Sequence, residues 1–452
     1  MRLKVGLLVV PVPQSLDKAA ELLREKAKAL REAGCRLLAA PEGFLGWGEK
    51  EVPKEKAWGQ LKEVADQTGI ALTCGYTTPG GGELMLWYDP MTGVKREYRK
   101  HSMSAKREMA PNQEDWETAM ERYLFTITLD GWQVNTQICH DLSMPFLPEA
   151  AKSRSGTDIL LNISGSNVVW KKWATYLQAR AVQLNTHVLC CMHHEPFESN
   201  AGMAAHFTPS GERDLLRLSD GRRMWSREIW EWAKRTRQVC DVFVAELEKP
   251  IQPEGRWDIG EAYSQQQRTQ SEKGEITLGI KAGDLRVWLD GNRLKINEAN
   301  IGCGESQILT VKGHRLAVCH LLGEQLSAPM PLWWLLVRHA YEADGFLAIY
   351  TTAASQRLEP KELCLLAARA MEARIAVSVL SPTGIDEVMV TINYRGIQRL
   401  APTSGNVFRL PLQQMRGPKS LYRDDNTYPA LGKVRWLLEW VAKQDKQYSC
   451  LR

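Results

Sequence analysis

The second half of this sequence replays the first, and that repetition constrains the fold more than any single motif does. LWYDPMTGVKREYRK is echoed by VWLDGNRLKINEAN, ITLDGWQVNTQICHDL by LTVKGHRLAVCHLL, TDILLNIS by ADGFLAIYT, and LQARAVQLNTHVLCC by LAARAMEARIAVSVL. Four echoes in the same order, each on the same type of expected element, imply two units on one plan. The copy is incomplete: about 80 residues precede the LWYD strand in the first unit, and only some 35 separate AELEKP from VWLD in the second.

Each unit reads as α/β. LKVGLLVVPVP is an apolar, β-branched run expected as a strand, and SLDKAAELLREKAKALREAG places its apolar residues at helical spacing and ends in glycine. CRLLAAPEGFLGW and IALTCGYTTP read as buried strands on either side of the helix EKAWGQLKEVADQTG. Strands alternating with helices predict a sheet with helices laid on it. Further on, GELMLWYDPMTGVKREYRK and YLFTITLDGWQVNTQICHD read as hairpins, the second turning at Asp130-Gly131 and ending at Cys139. A helix, a strand (TDILLNIS), a long helix (WKKWATYLQARAVQLNT) and a strand (HVLCCMHH) follow, so mixed sheets are expected.

The polar stretch PIQPEGRWDIGEAYSQQQRTQSEKG has linker composition. The expected division is a first domain at residues 1–250, a linker at 251–274, a second domain at 275–430, and a C-terminal helix and tail at 431–452 containing LGKVRWLLEWVAKQ.

Composition narrows the function class. With 44% hydrophobic and 25% charged residues among 452, the chain is globular, and no apolar run approaches the length that spans a membrane. A net charge of +5 with scattered basic residues gives no nucleic-acid patch, the stretch KREYRKHSMSAKR reading as a solvated surface. Ten cysteines without a leader-like start or paired CxxC spacing fit reduced thiols in a cytoplasmic protein, so neither a disulfide framework nor a metal is expected. His193 and His194 are adjacent on a strand and face opposite ways, which argues against a joint metal site.

Taken singly, the chemistry-bearing residues say little. A cysteine at a strand end is usually an inert core residue. Cys139 differs in being followed by a sharp turn, CHDLSMPF, which lifts its side chain above the sheet and turns the next backbone N–H toward any oxyanion formed there. Glu42 follows a buried strand, where a carboxylate needs a partner. Lys100, after a strand-like run, reads alone as a surface charge.

In this order and spacing, PEGFLG, YRKH and CHDLSMPFLPE resemble the glutamate, lysine and cysteine blocks of the nitrilase or carbon–nitrogen hydrolase superfamily, and the likeness continues through LLNISGSN, LQARAVQLN and HFTPSG. The resemblance covers residues 3 to about 250. It implies an αββα sandwich of the nitrilase type with Glu42 as general base, Lys100 as oxyanion stabiliser and Cys139 as nucleophile, working without a cofactor through a thioester. The backbone N–H of His140 is a second oxyanion donor on this reading, and Glu114 or Glu117 stands where many members place a further glutamate. The implied activity is hydrolysis of non-peptide carbon–nitrogen bonds in a small amide or N-carbamoyl substrate. Nitrile hydrolysis and acyl transfer on the same triad are alternatives, as is a non-catalytic scaffold. His-Asp after Cys139 favours amides over nitriles. Departures from the family pattern are LMLWYDP, without its usual Asn, and the inserted stretch MWSREIWEWAKRTRQ. Arg180 on the long helix reads as a structural ion-pair residue with Arg369 as its counterpart, and Trp170 and Trp173 as packing residues.

The second domain resembles a truncated, degenerate copy. Cys319 in AVCHLLGEQ is expected at its elbow, aligned with Cys139, while Glu298 or Asn300 stands where a lysine is needed and no Pro-Glu strand precedes them. The two domains are expected to pair as an intrachain pseudo-dimer, with further homo-oligomerisation open.

Overall fold

The computed structural model describes residues 1–46, 52–79, 82–100, 126–165, 170–193, 202–211, 213–236, 239, 241–249, 275–280, 283–290, 293–311, 313–352, 358–381, 384–392, 396–400, 407–411, 415 and 417. Glu114, Glu117, the linker at 251–274 and the C-terminal segment 431–452 lie outside them. The chain divides into two compact units, Met1–Pro250 and Ile251–Arg452.

The first unit contains the strands β1 (Arg2–Val9), β2 (Leu37–Leu45), β3 (Ala71–Thr77), β4 (Glu83–Asp89), β5 (Val94–Arg99), β6 (Thr126–Leu129), β7 (Trp132–Ile138), β8 (Ile159–Ser164), β9 (His187–Met192), β10 (Met203–Phe207), β11 (Leu215–Leu218), β12 (Arg223–Trp225) and β13 (Asp241–Glu248). Its helices are α1 (Leu16–Glu32), α2 (Lys54–Thr68), α3 (Phe146–Ser155), α4 (Trp170–Leu184) and α5 (Ser226–Thr236). They build an eight-stranded sheet, β12-β11-β13-β1-β2-β3-β4-β5, and a five-stranded one, β10-β9-β8-β7-β6.

The apolar pattern shows why the sheets stack. In β2, Leu37 and Ala39 join a core with Val134 and Ile138 of β7 and Leu161 and Ile163 of β8. The intervening Leu38 and Ala40 face the other way, onto Leu23 and Ala27 of α1 and Leu61 of α2. A strand covered on both faces has no polar side to show, which is why these strands read as largely apolar runs. Helix α1 buries Leu16, Ala19, Ala20, Leu23, Ala27 and Leu30 at helical spacing, and its N-terminus is capped by Ser15, whose Oγ accepts from Lys18 N at 3.3 Å. The layers are therefore helix, sheet, sheet, helix. At the edge remote from the Glu42 end of β2, Arg36 staples the sheets, donating to Asp89 at 2.9 and 3.1 Å and to Asp130 of the β6–β7 turn at 3.1 Å.

A buried histidine pair links β9 and β10. The Glu248 carbonyl, 2.7 Å from His187 Nε2, can only accept, so His187 Nδ1 is the bare nitrogen that takes the proton of His206 Nε2 at 3.0 Å. Burial, with His187 alongside, lowers the His206 pKa to about 3, so its 3.6 Å approach to Asp214 is no ion pair near neutrality. Between about pH 6.5 and pH 3 the unfolded chain holds a proton at this position that the folded chain refuses, so stability falls as pH falls through that window. Urea unfolding at pH 7 and pH 5 is expected to show about 2 kcal/mol of acid destabilisation in the wild type that His206→Asn removes.

The second unit has a five-stranded sheet, β17-β16-β15-β14-β24, and a six-stranded one, β18-β19-β20-β21-β22-β23. The strands are β14 (Glu275–Ile280), β15 (Gly283–Asp290), β16 (Arg293–Ile296), β17 (Ala299–Ile301), β18 (Ser306–Val311), β19 (His314–Leu322), β20 (Gly345–Thr351), β21 (Ala376–Ser381), β22 (Gly384–Ile392), β23 (Gly396–Arg399) and β24 (Val407–Leu410). Leu285, Val287, Leu294 and Ile296 of one sheet meet Leu316, Val318, Leu347 and Ile349 of the other. Helices α6 (Pro329–Arg338) and α7 (Pro360–Ala373) pack on the six-stranded sheet. Among the described residues no helix covers the other.

Two local devices recur in both units. Asp158 N donates to Gln133 O at 2.8 Å while its carboxylate takes Gln133 N at 2.8 Å; Asp344 does the same with Arg315, at 2.7 and 2.8 Å. Arg180 Nε donates to Leu142 O, and Arg369 Nε to Leu326 O, each at 3.0 Å. Each arginine stands five residues before a left-handed residue, Asn185 at φ 47° and Arg374 at φ 50°. The Asp register corrects one expectation. Counting from Gln133 and Arg315, Cys319 falls level with Gln137, not Cys139. It lies inside β19, paired with Ala348, and the turn comes only at Gly323–Leu326. The apparent alignment of the two cysteines arose because the second hairpin has two fewer residues between its glycine and its cysteine.

Candidate active site

Glu42 is presented by a distortion of β2. The pairing of β2 with β3 runs in register to Ala40, breaks, and resumes at Leu45, and Gly43 sits at φ 67° inside the break. The arched backbone passes so close to β3 that only glycine fits beneath it: a Cβ on Gly75 would lie 2.4 Å from Glu42 Cα and 2.5 Å from Gly43 N and Pro41 O. All three are backbone atoms that cannot swing aside. Gly75→Ala is expected to lower stability by about 1–3 kcal/mol and to reduce catalysis with it, because the strain is relieved by moving Glu42. Thermal unfolding and thiol alkylation measured on the same preparation check this; an active, equally stable variant refutes it.

Lys100 follows β5, its N–H anchored to Glu83 O at 3.0 Å. Its Nζ donates to Glu42 Oε1 at 2.6 Å, both side chains being buried. Gly165, just past β8, donates its N–H to Glu42 Oε2 at 2.7 Å. Burial works against the Lys100 ammonium, but the charge and hydrogen bond of Glu42, with Asp141 behind it, outweigh that cost and hold its pKa above the ordinary lysine value. Asp141, fully buried, accepts from Tyr98 Oη at 2.7 Å, which ties the end of β5 to the turn after β7.

Cys139 opens the 3-10 turn Cys139–Ser143 with φ 46°, a conformation that costs a non-glycine residue about 1–3 kcal/mol. The half-buried thiol lies within the electrostatic reach of the Glu42 carboxylate and the Lys100 ammonium. Burial first, and the Glu42 charge second, raise its pKa above that of an ordinary cysteine, with Lys100 opposing. The resting sulfur is thus protonated. Its carbonyl accepts from Asn162 Nδ2 at 3.2 Å.

Four segments from two sheets meet here: Glu42 and Lys100 come from the eight-stranded sheet, and Cys139 and Gly165 from the five-stranded one. Residues 11–201 match the carbon-nitrogen hydrolase family model. The first unit contains a carbon–nitrogen hydrolase domain. Similar solved structures include an amidase from Nesterenkonia sp., 18% identical with a TM-score of 0.42, the match covering 58% of this chain and 96% of that one. A variant of the Nesterenkonia sp. AN1 amidase bearing a Michael adduct of acrylamide on its active-site cysteine gives 18%, 0.41, 58% and 99%. A butyramide complex of that amidase gives 18%, 0.42, 58% and 97%. No curated protein matches the chain.

Within the carbon–nitrogen hydrolase domain, Glu42, Lys100 and Cys139 come together. His140 is half-buried beside Cys139, its carbonyl taking Ser143 Oγ at 2.8 Å. Arg180, expected as an ion-pair residue, donates to the Leu142 carbonyl and to Gln183 Oε1 at 2.7 Å, clamping the turn. Trp173 is buried edge-on to Tyr176, and Trp170 packs with Trp230 of α5. Among the described residues no group of three or more His, Cys, Asp or Glu is placed to hold a metal ion, and no helix is long and apolar enough to cross a membrane.

Gly75, Tyr98, Asp141, Asn162 and Gly165 escaped the sequence reading. The glycine inside the strand TCGYT was the one local signal available, since an interior strand glycine marks a bulge or close backbone approach. The other four matter through partners distant in sequence.

Proposed function

We propose that the first unit hydrolyses small amides or N-carbamoyl compounds through a Cys139 thioester. The supporting observation is one buried carboxylate, Glu42, that bonds the Lys100 ammonium at 2.6 Å and whose charge acts directly on the Cys139 thiol. Glu42 takes the thiol proton as Sγ attacks the carbonyl carbon. Lys100 Nζ and the His140 N–H face the oxyanion of the tetrahedral intermediate. Glu42 then passes the proton to the departing nitrogen, ammonia leaves, and the acyl group stays on sulfur. Water attacks the thioester, Glu42 accepts its proton, and the acid leaves as the thiol reforms. Because the thiol rests protonated, deprotonation and attack are coupled, without a standing thiolate.

The second unit is proposed to be non-catalytic. Cys319 lies within β19, and burial pushes its thiol up to about 12. Where β5 runs on to Lys100, β16 turns back through Asn297, at φ 52°, and the exposed Glu298.

Ammonia release from a panel of primary amides, N-carbamoyl compounds and nitriles tests the reading. Turnover of amides or carbamoyl compounds supports it, and turnover of nitriles alone moves the reaction class. No turnover, together with iodoacetamide labelling of Cys139 no faster than in Glu42→Gln, leaves a scaffold.

A further inference from the structure

We propose that Asn162 is the positioning residue that sets the Cys139–His140 peptide so that the His140 N–H faces the oxyanion; this rests on the thioester reading above. Asn162 is fully buried on β8 between Leu161 and Ile163, both of which face the inter-sheet core, so its own side chain lies on the helix side of the sheet. Its amide orientation is settled by its neighbours. The Cys139 carbonyl can only accept, so the NH₂ end must face it, at 3.2 Å. The carboxamide oxygen takes the Ser164 hydroxyl at 2.6 Å and the Cys190 thiol at 3.6 Å. A trans peptide points its C=O and the following N–H in opposite directions, and no cis peptide occurs among the described residues. Drawing the Cys139 carbonyl toward the helix layer therefore turns the His140 N–H toward the side on which Glu42 and Lys100 arrive.

The second unit provides an internal comparison. The arginine clamp on the turn and the aspartate staple at the strand start occur in both units, at nearly equal distances. Four residues beyond the staple, the first unit has Asn162 and the second has Ala348. The left-handed residue that opens the first turn has no counterpart at Gly323. What the units share holds the turn; the carboxamide is present only beside the nucleophile.

Two probes of Cys139 separate this role from general support. Acylation by p-nitrophenyl acetate passes through a tetrahedral oxyanion: the thiol proton goes to Glu42, sulfur bonds to the acetyl carbon, and p-nitrophenolate leaves. Alkylation by iodoacetamide displaces iodide at a saturated carbon and forms no oxyanion. In the full-length Asn162→Leu variant, acylation is expected to fall about 100-fold, the usual effect of losing one oxyanion donor, while alkylation changes little. Ser164→Ala, which frees the carboxamide but leaves it in place, should show the same selective loss to a smaller extent, and it decides the matter if Asn162→Leu does not fold. Parallel loss of both reactions, or loss of neither, overturns the positioning role. A wild type in which neither reaction at Cys139 is faster than in Glu42→Gln overturns the thioester reading, and this proposal with it.

Discussion

Replacing Cys139 with alanine is expected to lower ammonia release by about four orders of magnitude or more, the scale seen when a covalent nucleophile is removed, while Cys319→Ala leaves turnover unchanged. The contrast follows from position. Cys139 stands at a strand end, in a left-handed turn, with the Glu42 charge acting on its thiol. Cys319 is a fully buried strand residue paired with Ala348. Mass spectrometry of enzyme quenched during turnover checks the same point, since the acyl adduct should sit on the peptide containing Cys139. An adduct on Cys319, or an equal loss in both variants, would place the chemistry in the wrong unit.

The second large effect concerns the buried ion pair. Glu42→Gln removes the proposed base, for which a loss of about 10²–10⁴-fold in turnover is expected. It also strands the Lys100 ammonium in a dry site, and breaking one side of a buried pair costs about 3–5 kcal/mol. Lys100→Met strands the carboxylate, which keeps the Gly165 N–H at 2.7 Å, so a somewhat smaller destabilisation is expected. The double variant Glu42→Gln/Lys100→Met leaves no buried charge in the pair. Its unfolding free energy should recover most of the loss while its activity does not. If the double variant is as unstable as the sum of the singles, the pair is not the electrostatic unit described here.

Much of the fold was readable because each strand and helix of the first unit carries its own periodicity. Largely apolar runs in β1, β2 and β8 announced strands covered on both faces, and α1 spelled out its buried stripe and its serine cap. The three chemistry-bearing residues were readable only as a set, through family likeness, since no local rule brings Glu42 within bonding distance of Lys100. Cys319 shows the limit of reading by similarity. CHDL and CHLL match by letter, but a strand's side chains alternate, and a shift of two residues moved the second cysteine off the turn and into the strand. The bulge over Gly75 and the Asn162–Ser164 contact depend on backbone geometry and on pairings across the sheet, neither of which leaves a pattern along the chain.

Glu42 and Cys139, the proposed base and nucleophile, are carried by different sheets. Neither layer holds the pair alone: the thiol stands on one and the carboxylate proposed to deprotonate it on the other. A loosened molecule, with its strands formed but water between the layers, would retain its backbone signal in circular dichroism while Cys139 became an ordinary solvated thiol without its base. Chemical competence thus reports on the spacing of the two layers, not on the presence of their strands.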